Sequence, residues 1–349
     1  MRRLGGILTL GMVMLVCAGV VRQAAAQPYP DPAEVVVSPW EAPGKRQPPQ
    51  GFQPPPPECC PLRPQLYYQL EFMMFGRVPG NARTLVIDDA TGVEVFNTND
   101  VGLGFPAGPR LLLGVRFHPR TAVEFSYFGV RDWDATESVF GDNNLSLPPD
   151  IGPATLDFQD ADQMDFTLNT QLHNFEANVL WSYTPTISFL AGMRSIDLEE
   201  EFRLISTDSD SGRSNYNVTT SNAMFGGQLG AMYKRQNPIF GWETVGKLGM
   251  YGNNVNQSNF LGDFNNTFVL RNFEVSDTSA AFTGEWGVNG TMKFGDLSLR
   301  AGYLMLGIMN AADAVNNLDF TDTPTSGTNV DADSTIYIHS LTAGAELRW

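Results

Sequence analysis

In ten alternating segments nearly every ionised side chain falls on one parity, Arg131 being the exception, and this constrains the chain more than any other feature. From Gln65 onward apolar residues recur at period two near residues 66–77, 110–117, 121–132, 172–183, 186–195, 222–234, 239–251, 281–294, 296–308 and 335–349, which is the signature of strands. In segment 281–294 one face reads Phe282, Gly284, Trp286, Val288, Gly290, Met292 and Phe294, and the other carries Thr283, Glu285, Asn289, Thr291 and Lys293. The same parity applied throughout gathers Glu71, Arg110, Arg116, Glu124, Glu176, Arg194, Glu243, Lys247, Glu285, Lys293, Arg300, Glu346 and Arg348 on one side of the sheet. A cationic side chain facing lipid at mid-depth costs about 2–4 kcal/mol, and an acidic one less. If this sheet spans a bilayer, the charged side lines its interior.

The connections alternate as strictly as the faces. Four are tight: His118-Pro119-Arg120, Thr184-Pro185, Arg235 to Pro238, and Gly295. The other five, 78–109, 133–171, 196–221, 252–280 and 309–334, are long. The pattern predicts an all-β fold, a transmembrane up-and-down antiparallel β-barrel of about ten strands with short periplasmic turns and long acidic extracellular loops. With an even strand number both ends of the barrel fall on the short-turn side. Twelve strands are the alternative count, because Arg83 to Ile87 and Thr267 to Val275 are β-rich pieces within long connections.

A soluble barrel or sandwich alternates too, so period alone does not place the sheet in lipid. Two rows of aromatics favour the membrane: Tyr68, Phe117, Tyr183, Tyr233, Trp242, Phe294 and Trp349 near one rim, and Tyr127, Phe175, Phe225, Phe282, Tyr303 and Tyr337 near the other. The C-terminal pattern of Thr342, Gly344, Leu347 and Trp349 resembles the signal read by the barrel-assembly machinery of Gram-negative outer membranes.

The N-terminus reads as an export leader. Arg2 and Arg3 precede an apolar run from Ile7 to Val21, and Ala24, Ala25 and Ala26 supply the small residues of a cleavage site, placed after Ala26. The expected organisation is a signal peptide over 1–26, a proline-rich periplasmic segment over 27–64 and an outer-membrane barrel over 65–349. Pro54 to Pro57 favour extended polyproline geometry. Three cysteines, one of them in the leader, exclude a disulfide framework and a four-cysteine zinc site. Cys59 and Cys60 are adjacent and are assigned no chemistry.

The formal net charge of −16 excludes nucleic acid as a partner, since a nucleic-acid binder needs a basic face. The excess acid is concentrated in the long connections. Segment 133–171 holds Asp134, Glu137, Asp142, Asp150, Asp157, Asp160, Asp162 and Asp165 with no basic residue. Clustered carboxylates suit divalent cations, and a solvated, self-repelling surface accounts for the same residues. Asp208 to Gly212 begins like a calcium loop but has its glycine one position early and lacks the closing glutamate.

The segments GPRLLLGVRF at 108–117, FSYFG at 125–129, FLAGMRSIDLEEEF at 189–202 and FGGQLG at 225–230 resemble a planctomycete outer-membrane family, beta-barrel porin-7. The resemblance covers roughly residues 105–250 and implies fold and location; it brings no catalytic residue and no cofactor. The expected function is that of a porin-like barrel, passive passage of small hydrophilic solutes through a charge-lined lumen, with a closed structural barrel that displays acidic loops as the alternative. Opposed charges in a narrow barrel either meet and close it, or line a thin hydrated passage for small hydrophilic solutes. Expected partners are outer-membrane lipid and the assembly machinery. A barrel-embedded hydrolase would need a histidine held near an acid or a nucleophile. His118 falls in a tight turn, and parity aims His173 and His339 outward, so no catalytic site is expected.

Overall fold

A computed structural model describes residues 64–78, 83–148, 158–209, 212–263, 269–319 and 326–348. The export leader, the proline-rich segment and Trp349 lie outside the described residues, as do Asp150 and Asp157. Twelve strands are described: β1 (Gln65–Val78), β2 (Thr84–Asp88), β3 (Glu94–Asn97), β4 (Ala107–His118), β5 (Thr121–Ser146), β6 (Ala161–Ser182), β7 (Ile187–Asp208), β8 (Gly212–Gln236), β9 (Phe240–Asp263), β10 (Val269–Phe294), β11 (Leu297–Ala311) and β12 (Ser334–Arg348).

Ten of them form a closed antiparallel ring in the order β1-β4-β5-β6-β7-β8-β9-β10-β11-β12, with β12 returning to β1 through pairs such as Glu71↔Gly344 and Phe72↔Ala343. Closure leaves no unpaired edge within this ring. The first and last strands both end at the rim of the tight turns, as an even strand number requires. The two additional strands form a hairpin outside the ring, joined to the far end of β5 through Ile87↔Ser146. Arg83 to Ile87 thus contributes to an added strand, and Thr267 to Val275 falls on the far end of β10.

Three of the five long connections expected from sequence are strand over most of their length. β5 and β6 run past Trp133 to Ser146 and back from Ala161, β7 and β8 reach Asp208 and restart at Gly212, and β9 and β10 extend to Asp263 and restart at Val269. The reason is a swap of faces. Up to Arg194, β7 turns charge inward and apolar residues outward; beyond it, Ile196, Leu198, Phe202 and Leu204 point in and are buried, while Asp197 and Glu199 point out and are exposed. A search for an apolar exterior loses such a strand where its polarity inverts. The prolonged hairpins form a crown above a shorter ring. Asp134, Glu137, Asp162 and Asp165 therefore stand on strands rather than loops.

Around the ring the outward side chains are apolar and exposed, among them Leu70 and Phe72 on β1, Leu111 on β4, Phe189 on β7, Leu229 on β8, Leu248 and Met250 on β9, Trp286 on β10 and Leu341 on β12. On β9 this belt runs from Phe240 to Met250. At about 3.4 Å per residue and a tilt of about 40°, that is roughly 26 Å of height, close to the apolar band of a membrane barrel. Phe117, Tyr183, Tyr233, Trp242 and Phe294 are exposed at the tight-turn border, and Phe175, Phe225, Phe282 and Tyr337 at the other.

Candidate functional site

The inward positions of the ten ring strands build the lumen in layers, because each residue step of two along a strand moves one level up the same wall. At the tight-turn end lies a vestibule of about 560 Å³, lined by Arg116, Arg120, Lys234, Gln236 and Arg348 and reaching up to Glu176, Glu243, Lys247, Arg300 and Glu346. Above it the lumen is crossed by ion pairs. Arg300 on β11 places Nε 2.8 Å from Glu71, Nη2 2.5 Å from Glu243 and Nη1 3.2 Å from Glu346. Lys247 on β9 lies 2.8 Å from both Glu176 and Glu285, reaching β6 three strands away. Arg194 Nε donates to Asn174 Oδ1 at 2.6 Å, and its Nη1 lies 2.8 Å from Glu285 Oε2, a charge contact not aligned as a hydrogen bond. Arg110 meets Glu71 at 3.3 Å, and Arg348 pairs with Glu346. The Tyr67 hydroxyl donates to Glu124 at 2.5 Å.

Of the thirteen charges assigned to the lumen from sequence, eleven join these contacts. Arg116 and Lys293 stand at the rim instead: Arg116 donates to the Pro119 carbonyl at 3.3 Å, and Lys293 to Gln236 Oε1 at 2.9 Å. Sequence reasoning missed Lys234, which lies 3.4 Å from Glu243, and Gln228, which donates to Glu176 at 2.8 Å. Both share the inward parity of β8 and fall within the segment 222–234, so the parity rule applied to the whole segment would have included Lys234.

The next level is apolar. Met73, Phe75, Phe128, Trp133, Leu172, Ile196, Leu198, Met224, Leu306 and Ile338 fill the barrel, none more than 2% exposed. The Trp133 indole N–H donates to the Gly104 carbonyl at 3.1 Å, so its polar edge is satisfied. Wetting each large apolar side chain of this plug costs about 1.5–3 kcal/mol.

Above the plug, Arg77 bridges the wall and the connection that follows β11: it pairs with Glu200 on β7 and lies 2.6 Å from Asp313. Asn222 accepts the Ala312 N–H and donates to the Ala312 carbonyl, each at 2.8 Å, and Glu200 accepts the Ala314 N–H at 3.2 Å. The inward turn of 312–319 thereby covers the ring. It joins a second apolar core inside the crown, where Ala314 and Leu318 meet Leu85, Phe96, Phe166, Phe202 and Val218. Arg77 continues the parity of Glu71, but Glu200 and Asp313 lay in segments read as loops.

The proposed assembly residues occupy ordinary sheet positions. Thr342 faces the lumen and Leu347 pairs with Tyr68 and Leu297. A Cβ on Gly344 would stand 2.2 Å from the Leu70 carbonyl oxygen, so the seam between β1 and β12 needs glycine there. The three histidines are spread apart. His118 lies at a tight turn, His173 shares a 2.9 Å hydrogen bond with Tyr127 and is paired in register with Asp197 on the outer face, and His339 packs against Phe105 and Tyr303. None reaches the lumen. Among the described residues no group of three or more His, Cys, Asp or Glu is arranged to hold a metal ion.

Fold and lumen together define a closed antiparallel ten-stranded β-barrel with an apolar outer belt and a filled, ion-paired interior. No family model matches the chain, and no curated protein matches it, so the resemblance to the planctomycete porins rests on the quoted segments alone. Solved structures similar to it are outer-membrane barrels. The protease OmpT from Escherichia coli is 11% identical over 83% of this chain and 98% of that one, with a TM-score of 0.42. The attachment invasion locus protein Ail of Yersinia pestis is 10% identical over 82% and 100%, with a TM-score of 0.27. The toluene transporter TodX of P. putida is 11% identical over 82% and 89%, with a TM-score of 0.32. At these scores none of their activities transfers to this chain.

Proposed function

We propose that this chain is an outer-membrane β-barrel closed along its axis, a non-enzymatic membrane anchor that displays a tall hairpin crown. The belt of exposed apolar side chains between two aromatic borders supports the membrane placement, with lipid and the barrel-assembly machinery as partners and the tight turns on the periplasmic side. The observation that carries the closed reading is the plug at the level of Phe75, Phe128 and Trp133, which leaves the ion pairs beneath it without a water path to the crown. Planar-bilayer recording of the purified, heat-modifiable barrel tests it: silence is expected, and stepwise single-channel openings would overturn it.

A second reading keeps passive passage of small hydrophilic solutes. It is favoured by the vestibule of about 560 Å³, whose mouth presents Arg116, Arg120, Lys234 and Arg348. On that reading the plug must move, and Arg194→Ala combined with Glu243→Ala should change conductance or ion selectivity.

A further inference from the structure

The crown has two borders, and they are treated differently. On one, β5 is met by the added hairpin through Ile87↔Ser146 and Asp88↔Leu145. On the other, β10 pairs with β9 from Val269 to Met292, but with β11 only from Phe282 to Phe294. The stretch Glu274 to Ala280 therefore has a strand on one side and none on the other among the described residues.

Two side chains reveal which backbone groups face the empty side. The Thr278 N–H donates to the Asp277 carboxylate at 2.7 Å, and Asn310 Nδ2 donates to the Ala280 carbonyl at 3.0 Å. Neither group is directed at β9. In an antiparallel ladder the N–H and C=O of one residue point to the same side and alternate residues share that side, so Glu274 and Ser276 present theirs there too. Such an edge is a template for another strand.

The edge opens on a groove of about 450 Å³ between Asp277 and Ser279 on β10 and the connection ahead of β12, where Asp319, Asn329, Asp331 and Asp333 form the far wall. No lysine or arginine lines it among the described residues. The Ser279 hydroxyl is shielded from water and has no hydrogen-bond partner. A second copy of the chain fits poorly, since an antiparallel pair of β10 edges would bring Glu274 and Asp277 against carboxylates in a molecule of net charge −16. We propose that this edge binds an extended basic peptide by strand addition, with its backbone on Glu274 to Thr278, short of the Ala280 carbonyl that Asn310 occupies, and its lysine or arginine side chains against Asp277, Asp331 and Asp333.

The test uses the full chain in lipid nanodiscs and three ten-residue capped peptides followed by fluorescence anisotropy: alternating Lys-Val, alternating Glu-Val, and the Lys-Val peptide N-methylated at alternate residues. The Lys-Val peptide binds and the Glu-Val peptide does not. N-methylation weakens binding by about tenfold or more, because it removes ladder donors. Asp331→Asn with Asp333→Asn weakens it by about tenfold at low salt and less at high salt. Ser276→Pro places the ring where the N–H faces the groove, so it keeps the β9 ladder, migrates as a folded barrel and loses the peptide. Equal binding of the N-methylated peptide overturns strand addition in favour of charge attraction, and this arm needs no variant to fold. Absence of Lys-Val binding overturns the proposal, as does a dimer in sedimentation that Ser276→Pro abolishes.

Discussion

Replacing Arg300 with methionine separates a dry lumen from a wet one. Arg300 is 5% exposed and holds Glu71, Glu243 and Glu346 at 2.8, 2.5 and 3.2 Å. With charge centres about 4 Å apart, each pair is worth on the order of 4 kcal/mol at an effective dielectric of about 20, and about 1 kcal/mol in water. Desolvation offsets much of the first figure, and loss of one partner from a buried pair costs about 3–5 kcal/mol. Each glutamate keeps a second cation, Arg110 for Glu71, Lys234 for Glu243 and Arg348 for Glu346, so the expected cost lies at the lower end, about 3 kcal/mol. Because Glu243 keeps Lys234, adding Glu243→Gln should not restore stability but cost about a further 1 kcal/mol or more by leaving Lys234 without its partner. Urea unfolding in lipid vesicles, followed by tryptophan fluorescence at low and high salt, measures both variants. A loss below about 1 kcal/mol that disappears in high salt is the behaviour of a hydrated pair, and it would refute the filled lumen.

Glu200 provides a pH test above the apolar belt, where its outward neighbours Asp197 and Glu199 are exposed. Its burial, with Asp313 nearby and against the pull of Arg77, pushes its carboxyl up to about 7. The native state thus keeps a proton that the unfolded chain has released, so stability should fall as pH rises from the ordinary carboxylate range to about 7. Glu200→Gln should flatten that slope in urea midpoints taken at pH 5 and 8; an unchanged slope refutes the assignment. Trp133→Ala should cost about 3–5 kcal/mol through the void it leaves in the plug, yet leave bilayer recordings silent because Met73, Phe75, Phe128 and Leu172 still fill that level. Gly344→Ala should cost about 1–3 kcal/mol and lower the temperature of the gel-mobility shift, since its methyl would meet the Leu70 carbonyl at the closing seam.

What was legible in the sequence was whatever repeats within the belt. The contrast of Phe282, Trp286 and Met292 with Glu285 is the contrast of the exposed and inward faces of β10, because an exposed apolar belt on one side and a packed lumen on the other impose opposite chemistries at period two. The crown obeys a different rule. There water lies outside and apolar packing inside, so Phe166, Phe202 and Val218 became core positions within segments that looked like acidic loops. The apolar plug was hidden for a related reason: Met73 and Phe75 share the parity of Glu71, and a rule that reads charge cannot see that the same wall turns apolar two residues higher. The cluster of Arg77, Glu200 and Asp313 joins β1, β7 and the turn after β11, a meeting that only barrel closure brings about.

Ion pairs in a dry lumen add little net stability over well-packed apolar residues, so their place here calls for a different physical account. The belt settles parity: a one-residue slip of β1 against β12 would turn Glu71 to lipid and Leu70 inward. A two-residue slip preserves parity and would leave the belt almost unchanged. It would, however, move Glu71 about 6.8 Å along the strand and away from both Arg300 and Arg110, so the charges break the degeneracy that the belt leaves. Replacing the Arg300 group as a whole, with Arg300→Met, Glu71→Gln, Glu243→Gln and Glu346→Gln together with Arg110→Met, Lys234→Met and Arg348→Met so that no cation of the group is left without its partner, should therefore preserve most of the stability while admitting the shifted pairing. In a background with Cys59 and Cys60 changed to serine, a Phe72→Cys and Ala343→Cys pair reports the native register, since these residues oppose each other, and Phe72→Cys with Leu341→Cys reports the slip. Cross-linking should be confined to the native pair when the charges are present and should extend to the shifted pair when they are removed. If the shifted pair never forms in the neutral lumen, register is set by the hairpins alone and the ion pairs have no such role.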